Sequence, residues 1–472
     1  MKTKMKHLAL ILLLSVFTSA NAATKTWIGP ATGGSWVTTA NWSGGTPVAG
    51  DDVVITPTAN MTITGFAQLT AGTALNSLTI NGAGGTYIVN IANGSQYLQI
   101  ATTLQIDAGN TLDTGIMRLS GGTNISSFTT SGTGALKVAN TTYTPSGKTW
   151  SFDVIYNGTV PQQVSGGTYN NLTIDNTTAL GTIAGYIAGG DLTVNGTLTL
   201  TKGILGCSNG TGGTARTLNI ATTATIVGAS SNSYIFTTNG ALSRKNVGTA
   251  TLSYPVGTLT SYAPLTIKNN EGTPNITVKL KPTPFSNVTA DATKVVNLEW
   301  SVLSTVTTTA DIIYQFNAAD FASGYSVGSS SELGNYTTAY TSTSVGTAAG
   351  SNPYTVSATG LSIPASGSNN YVIGNTNAIV GGTTSVNDIT KESLNVEVTN
   401  MGAQFLVNYS TPTASFVHVK LLNLNGQTLQ ALSLEKQQIG QAVISSSNLS
   451  KGLYLVEVQI DGKKVTKKVV KY

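Results

Sequence analysis

The chain has 472 residues, of which 9% are charged, 52 are glycine and one is cysteine. This length exceeds a single hydrophobic core, and such low charge with regular alternation of valine, leucine, isoleucine and threonine excludes a helical or disordered protein. The formal net charge of +5 arises at the two termini, since residues 23–385 hold 12 basic and 13 acidic side chains. That central part offers no basic surface of the kind nucleic acids require.

The N-terminal sequence MKTKMKHLALILLLSVFTSANA has a basic start, a short apolar run and small residues at its end. This is the pattern of a secretory signal peptide, and the apolar run is too short to span a bilayer. We therefore predict a signal peptide over residues 1–22, cleaved between Ala22 and Ala23. The mature chain is expected to leave the cytoplasm without a transmembrane segment.

Residues 26–55 place three tryptophans, Trp27, Trp36 and Trp42, among glycines, and then end in DDVVI. The pattern W…GxW…NW…P…DDVVI resembles the opening of exported bacterial β-solenoid surface proteins, which implies a cap over the first coil. Large aromatic side chains are suited to covering an exposed core end and sheet edge. The alternative is that the indole faces are exposed and stack on sugar rings, which makes these three residues candidate glycan-stacking positions.

After this opening, short segments continue in which apolar and polar residues alternate. Leu192, Val194, Leu198 and Leu200 share one parity while threonines take the other, as in a half-buried strand. Related phrases recur at intervals typical of stacked repeats. These intervals are 20 residues from Leu78 to Leu98, 20 from Leu172 to Leu192 and 26 from Leu192 to Leu218. We predict an all-β chain that begins with a parallel β-helix, or β-solenoid, over residues 23–238.

Threonine occupies nearly every position expected to face outward between residues 59 and 238. Its branched carbon packs on the strand while its hydroxyl meets water. Stacked threonines would also form the flat hydroxyl array that ice-binding solenoids use. The Thr-x-Thr units do not recur in fixed register, which favours plain solvation and keeps ice binding as an alternative.

Ionisable residues suited to catalysis are scarce. One histidine lies in the predicted signal peptide and the other, His418, lies near the C-terminus, so histidine-dependent triads and zinc sites are not expected. Asp51 and Asp52 are adjacent on a strand and face opposite ways, so we expect one to cap a turn and the other to be solvated. Cys207 is expected to be a buried apolar side chain.

We predict no catalytic residue, no metal site and no cofactor. Right-handed β-helices do host polysaccharide lyases and hydrolases, so a β-helix enzyme remains an alternative if stacked coils bring carboxylates together. The carboxylates available to it in the solenoid are Asp107, Asp113, Asp153, Asp175 and Asp191.

Longer strands bounded by prolines follow, and they predict a β-sandwich over residues 239–373 with Trp300 in its core and Glu299 on the opposite face of the strand. The YPVG and LEW phrases resemble a sandwich module of exported proteins from Bacteroidetes-type bacteria. Small residues then predict a protease-accessible linker over residues 374–386.

Residues 387–472 alternate again and predict a small immunoglobulin-like sandwich. The segment resembles the type A C-terminal sorting domain of the type IX secretion system. The resemblance is carried by Asn425, Gly426, Gly452, Tyr454, Lys467, Lys468 and Lys471. It implies export through the type IX translocon, removal of the domain by a surface peptidase, and attachment to or release from a Gram-negative, Bacteroidetes-like cell.

The sequence therefore favours an exported cell-surface or secreted protein with a structural or adhesin-like role. Its candidate partners are the secretion translocon, the surface peptidase and surface polysaccharide or lipopolysaccharide. The polysaccharide-degrading enzyme and the ice-binding solenoid are the two alternatives.

Overall fold

The computed structural model describes residues 22–66, 74–91, 97–120, 128–141, 145–282, 289–337, 339–365, 369–380, 395–460 and 463–472. These residues form strands and loops, and the helical segments among them are three short 3-10 turns at Thr39–Asn41, Ala292–Lys294 and Ala318–Asp320. None of the described helices is long and apolar enough to cross a membrane. The chain divides into two compact units, residues 1–382 and 383–472.

Parallel strands make up the first part of the N-terminal unit. They are β1 (Thr24–Thr26), β2 (Gly33–Ser35), β3 (Asp52–Ile55), β4 (Met61–Thr64), β5 (Leu75–Ile80), β6 (Tyr87–Ile91), β7 (Tyr97–Ile106), β8 (Asn110–Asp113), β9 (Arg118–Ser120), β10 (Thr129–Ser131), β11 (Ala135–Val138), β12 (Lys148–Trp150), β13 (Asp153–Tyr156), β14 (Gln162–Tyr169), β15 (Leu172–Asp175), β16 (Ile183–Val194), β17 (Thr197–Lys202), β18 (Ile204–Gly206), β19 (Thr217–Ile220), β20 (Thr225–Val227), β21 (Ile235–Phe236) and β22 (Ala241–Arg244).

These strands wind into a β-solenoid of about eight turns, as the sequence predicts. One face is a continuous nine-stranded sheet in the order β2-β4-β6-β8-β11-β13-β15-β17-β20. A second face begins with β1-β3-β5-β7-β10 and is continued by β12-β14-β16-β19-β22. The first part of β16 pairs with β14 and with β18, and this third row of strands continues to β21.

Inward side chains of successive turns lie directly on one another. On the nine-stranded face this column consists of Met61, Val89, Leu112, Leu136, Val154, Leu172, Leu198 and Ile226. All except the half-buried Ile226 are buried. Neighbouring parallel strands lie about 4.8 Å apart, so each side chain contacts the ones above and below it. The column removes apolar surface from water along the whole solenoid.

The repeat intervals taken from the sequence are partly wrong. Leu192 does stack on Leu218, 26 residues later. Leu172 instead pairs with Leu198, and Leu78 pairs with Leu104, so the two 20-residue intervals join different faces of the solenoid. Leu172, Leu192 and Leu198 are all buried, so alternation alone does not show which inward residues stack.

The solenoid passes directly into antiparallel structure. The additional strands are β23 (Thr251–Tyr254), β24 (Val256–Gly257), β25 (Leu265–Asn269), β26 (Ile276–Pro282), β27 (Leu298–Ser304), β28 (Thr308–Phe316), β29 (Ser330–Tyr336), β30 (Tyr340–Thr347), β31 (Ala349–Gly350), β32 (Tyr354–Ile363) and β33 (Asn369–Asn375). Strand β22 pairs in parallel with β19 on one side and antiparallel with β26 on the other. One apolar cluster consequently runs from Trp36 to Ile373.

Two antiparallel sheets, β26-β27-β33-β29-β30 and β23-β25-β28-β32-β31, form the sandwich. Trp300 is fully buried within it and donates from Nε1 to the carbonyl of Ala263 at 3.1 Å. Glu299 faces the other side of the strand, where it is only 1% exposed and lies 3.7 Å from Lys281 Nζ. Burial raises the pKa of Glu299 although Lys281 acts in the opposite direction.

The first part of the predicted linker is packed in the N-terminal unit. Ala378 and Ile379 are buried, and the Ile379 amide donates to Glu332 Oε1 at 2.8 Å. Their carbonyls accept hydrogen bonds from Asp291 and Ala290, respectively. The remaining linker residues, 381–386, lie outside the described residues, as do residues 1–21 of the predicted signal peptide.

The C-terminal unit is antiparallel throughout its described part. Its strands are β34 (Asn395–Asn400), β35 (Gln404–Leu422), β36 (Thr428–Ser445), β37 (Gly452–Ile460) and β38 (Lys463–Lys471), ordered β34-β35-β37-β38 with β36 against β35. They enclose a separate apolar cluster that includes Phe405, Val419 and Val456. The expected all-β class, with a solenoid followed by antiparallel sheets, is confirmed.

Replacing Leu172 by alanine is expected to lower the free energy of unfolding by about 2–5 kcal/mol, because it leaves a cavity in a fully buried column. The matched variant Thr173→Ala changes the outward neighbour on the same strand and should cost less than about 1 kcal/mol. Urea denaturation of both variants measures the difference. Equal losses of unfolding free energy in the two variants would contradict a stabilising role of the stacked column.

Candidate functional site

The three N-terminal tryptophans pack against one another at the first turn. The Trp27 and Trp42 rings meet edge to face at 5.0 Å, and the Trp36 and Trp42 rings do so at 4.7 Å. Trp36 and Trp42 are each 2% exposed, and Trp42 Nε1 donates to the Trp36 carbonyl at 2.7 Å. Trp27 is half-buried. Stacking of a glycan in this region therefore depends on Trp27, because the other two rings are inside the core.

Six carboxylates of the solenoid have local structural partners. Asp51 accepts from the Val48 amide at 2.9 Å, as expected of a turn cap. Asp52 is half-buried, and it accepts from Asn76 and Ser77 on the next turn, so the expectation that it is merely solvated is wrong. Further carboxylates accept from neighbours in the same way: Asp107 from Gln105, Asp113 from Gly115, Asp153 from Asn171 and Asp191 from Thr217.

The outward columns are chemically mixed. On the nine-stranded face one column contains Thr62, Asn90, Asp113, Lys137, Ile155, Thr173, Thr199 and Val227. The expectation of threonine in nearly every outward position is therefore wrong for this face. On the second face, Thr149, Thr168 and Thr193 do stack, but Asn219 and Ser243 follow them.

Cys207 is buried and donates from Sγ to the Ala241 carbonyl at 3.3 Å. Burial raises the pKa of this thiol to about 12, so it remains protonated. This confirms that it packs as an apolar side chain. In the described part of the chain, no three His, Cys, Asp or Glu side chains cluster closely enough to hold a metal ion.

A groove of about 760 Å³ lies where the third row of solenoid strands meets the sandwich. We call it the junction groove. Its solenoid side is formed by Leu180, Gly181, Ser231 and Tyr234, its hairpin side by Leu259, Thr260, Ser261 and Tyr262, and its sandwich side by Gln315, Asn317, Ala319 and Pro353. None of these side chains carries a formal charge at neutral pH.

Two tyrosines provide the aromatic part of the junction groove. The rings of Tyr234 and Tyr262 lie 5.4 Å apart with an interplanar angle of 31°. Tyr234 is buried and donates to the Thr258 carbonyl at 2.8 Å, whereas Tyr262 is half-buried. Burial raises the pKa of Tyr234 to about 12 and raises that of Tyr262 as well, so both phenols are neutral.

A buried carboxylate fixes the hairpin that carries Tyr262. Asp320 Oδ2 accepts from Ser261 Oγ and from the Asn317 amide, each at 2.8 Å. Asn317 Nδ2 donates in turn to Ser261 Oγ at 3.0 Å and to the Tyr262 carbonyl at 3.1 Å. Burial raises the pKa of Asp320, while these donated hydrogen bonds act in the opposite direction. The carboxylate positions the groove wall and is not itself part of the lining.

The sequence did not predict the junction groove. Tyr262 lies in a phrase that resembles a sandwich module, but no pattern connects it with Ser231 or Gln315. The lining comes from loops and strand ends spread between residues 180 and 353, which meet only because the solenoid ends against the sandwich. A usable signal was the SYAP segment, in which Tyr262 lies two residues before a proline.

In the C-terminal unit, Asn425 and Gly426 form the turn between β35 and β36. The Gly426 amide donates to the Asn423 carbonyl at 3.0 Å, and Asn423 Oδ1 accepts from the Asn425 amide at 3.0 Å. Gly426 has a φ of +80°, a conformation that glycine adopts without strain. The Asp-Gly pair at residues 461 and 462 predicts a further hairpin turn, and these two residues lie outside the described part of the chain.

Strand pairing places Gly452, Tyr454 and Lys471 towards one end of this sheet, while Lys467 and Lys468 lie in the middle of the last strand. Gly452 pairs with Lys471, and Leu455 pairs with Lys468. Leu422 pairs with Leu455 on the other side, so the Asn425 turn extends beyond that end. Tyr454 donates to the Ser450 carbonyl at 2.7 Å, and Lys467 and Lys468 are exposed. Exposed Leu424, Leu453 and Val470 lie at this end as well.

Residues 390–472 match the family described as the secretion system C-terminal sorting domain. Comparison with curated proteins found no match for the chain. The matched region lies within the C-terminal unit and contains all seven residues that carry the resemblance. The chain thus ends in a C-terminal sorting domain, which marks it as a type IX secretion substrate exported to the cell surface or the medium.

Proposed function

We propose that this protein is a structural, adhesin-like component of the cell surface of a Gram-negative, Bacteroidetes-like bacterium. The observation that carries the proposal is the combination of a sorting domain with a long solenoid in which carboxylates such as Asp52 and Asp153 bond to the next turn. A solenoid presents an extended surface away from its point of attachment. Carboxylates bonded to their own scaffold contribute to stability and are poorly placed for acid–base chemistry.

Processing follows from the packing of the N-terminal unit. A predicted signal peptide, cleaved between Ala22 and Ala23, directs the chain to the periplasm, and both residues are exposed. The surface peptidase cuts between the two compact units, and Ala378 and Ile379 are buried. We therefore place its cleavage after Val380, so that the released passenger keeps the complete sandwich.

Removal of residues 387–472 is expected to retain the protein in the periplasm, because the sorting domain is then lost. The double variant Lys467→Glu/Lys468→Glu should reduce surface delivery, since both side chains are exposed on the last strand. Lys436→Glu/Lys451→Glu makes the same change in net charge at exposed positions of the same unit and serves as control. Surface protease accessibility and cell fractionation measure delivery.

Unchanged surface delivery after the deletion would contradict the assignment of the sorting domain. Equal effects of the two double variants would show that net charge matters and that Lys467 and Lys468 have no special part in it. Mass spectrometry of the mature C-terminus locates the peptidase cut, and a cut before Val380 would contradict the proposed site.

Cells that lack the protein are expected to attach less well to polysaccharide-coated surfaces, and expression of the intact gene should restore attachment. Purified protein incubated with the same polysaccharides should leave their chain length unchanged, as measured by size-exclusion chromatography. Normal attachment of the deletion strain would contradict the adhesive role. Reproducible chain shortening, abolished by replacing a carboxylate, would establish the enzymatic alternative instead.

A further inference from the structure

We propose that the junction groove binds a neutral oligosaccharide segment of a surface or matrix glycan. This inference deepens the proposed adhesive function and rests on it. The groove belongs to the N-terminal unit, which contains every lining residue. Its volume of about 760 Å³ lies within the range of small-ligand sites.

The absence of charge from the lining selects the class of ligand. The polar groups offered are the hydroxyls of Ser231 and Thr260 and the amide of Gln315. The nearby carboxylate of Asp320 is buried and accepts hydrogen bonds from Ser261 and Asn317, so it is not presented to a ligand. An anionic ligand would find no countercharge in this lining, whereas neutral hydroxyls would find both donors and acceptors.

The aromatic contact suits the apolar face of a sugar ring. Tyr262 is half-buried and lines the groove together with Tyr234, and the apolar side chains of Leu180 and Pro353 belong to the same lining. A pyranose has C–H groups on its faces and hydroxyls at its edge. An amphipathic aromatic surface next to amides and hydroxyls matches both features.

The polar groups are available for a ligand. Within the described part of the chain, no protein hydrogen-bond partner is found for the side chains of Ser231 or Gln315, and neither residue is buried. The backbone of the hairpin side is already paired, because the Thr258 amide donates to the Ser261 carbonyl and the Ala263 amide donates to the Val256 carbonyl. A peptide adding a strand here would meet no free edge, because Gly257 is bridged to Tyr262.

Isothermal titration calorimetry of the full mature chain with short neutral glucan, galactan and mannan oligosaccharides tests the proposal. Uronic-acid oligomers of the same length serve as charged comparators. We expect at least one neutral probe to bind and the uronic-acid oligomers to bind more weakly. Failure of every neutral probe, or preference for the acidic oligomers, would overturn the assignment.

Variants then locate the site. Tyr262→Ala should weaken binding about tenfold because it removes the aromatic surface, whereas Tyr262→Phe keeps the ring and should stay within about twofold of wild type. Ser231→Trp fills the groove from an exposed position and should also weaken binding about tenfold or more. Ser342→Trp adds the same side chain at an exposed position on β30 and should bind like wild type.

Different results would overturn the groove assignment and the adhesive role. Binding that survives both Tyr262→Ala and Ser231→Trp, in variants with wild-type unfolding midpoints, would place the glycan elsewhere and overturn the groove assignment. Normal attachment of the deletion strain would remove the adhesive role even if the purified protein binds oligosaccharide. Loss of binding in Ser231→Trp alone, with a normal unfolding midpoint, would still support the groove.

Discussion

The contact between an apolar side chain on one turn and its counterpart on the next is the interaction on which the whole N-terminal unit depends. Leu112, Leu136, Val154, Leu172 and Leu198 form such a contact in sequence, and all are inaccessible to solvent. Cys207 is the chain's only cysteine, so no intrachain disulfide supports the stack. Burial and strand-to-strand hydrogen bonds therefore stabilise it.

A stack of this kind needs both ends covered, because each end exposes apolar surface and a row of unpaired backbone groups. Trp36 and Trp42 are buried at the first turn, and at the other end the sandwich continues the sheet through β22 and β26. The junction groove results from this continuation of the solenoid into the sandwich. Where parallel turns give way to antiparallel strands, the hairpin at Tyr262 stands against the sandwich and leaves a concave surface between them.

Much of the fold could be predicted because alternation reports directly which side chains are buried. Leu192, Val194, Leu198 and Leu200 are all inward, as the pattern indicates. The spacing of turns was harder to predict, because the interval between stacked residues varies. It is shorter between Leu136 and Val154 than between Leu198 and Ile226. The hydrogen bonds of Asp52 could not be predicted for the same reason, because its partners Asn76 and Ser77 belong to the next turn.

The sorting domain and the junction groove also differ in how far they could be predicted from the sequence. The sorting domain could be recognised because its marks lie in order along one short segment and match a known family. The junction groove could not, because Leu180, Ser231, Tyr262 and Gln315 are brought together only by the meeting of two architectures. Local patterns predict strands and turns, but they do not predict which distant loops become neighbours.

One continuous core joins solenoid and sandwich through the strand Ala241–Arg244. Native-state hydrogen exchange, followed by mass spectrometry under increasing denaturant, tests it most directly. We expect peptides from Leu192–Leu200 and from Leu298–Ser304 to lose protection in a single step. Separate steps, with the boundary at Arg244, would contradict the account.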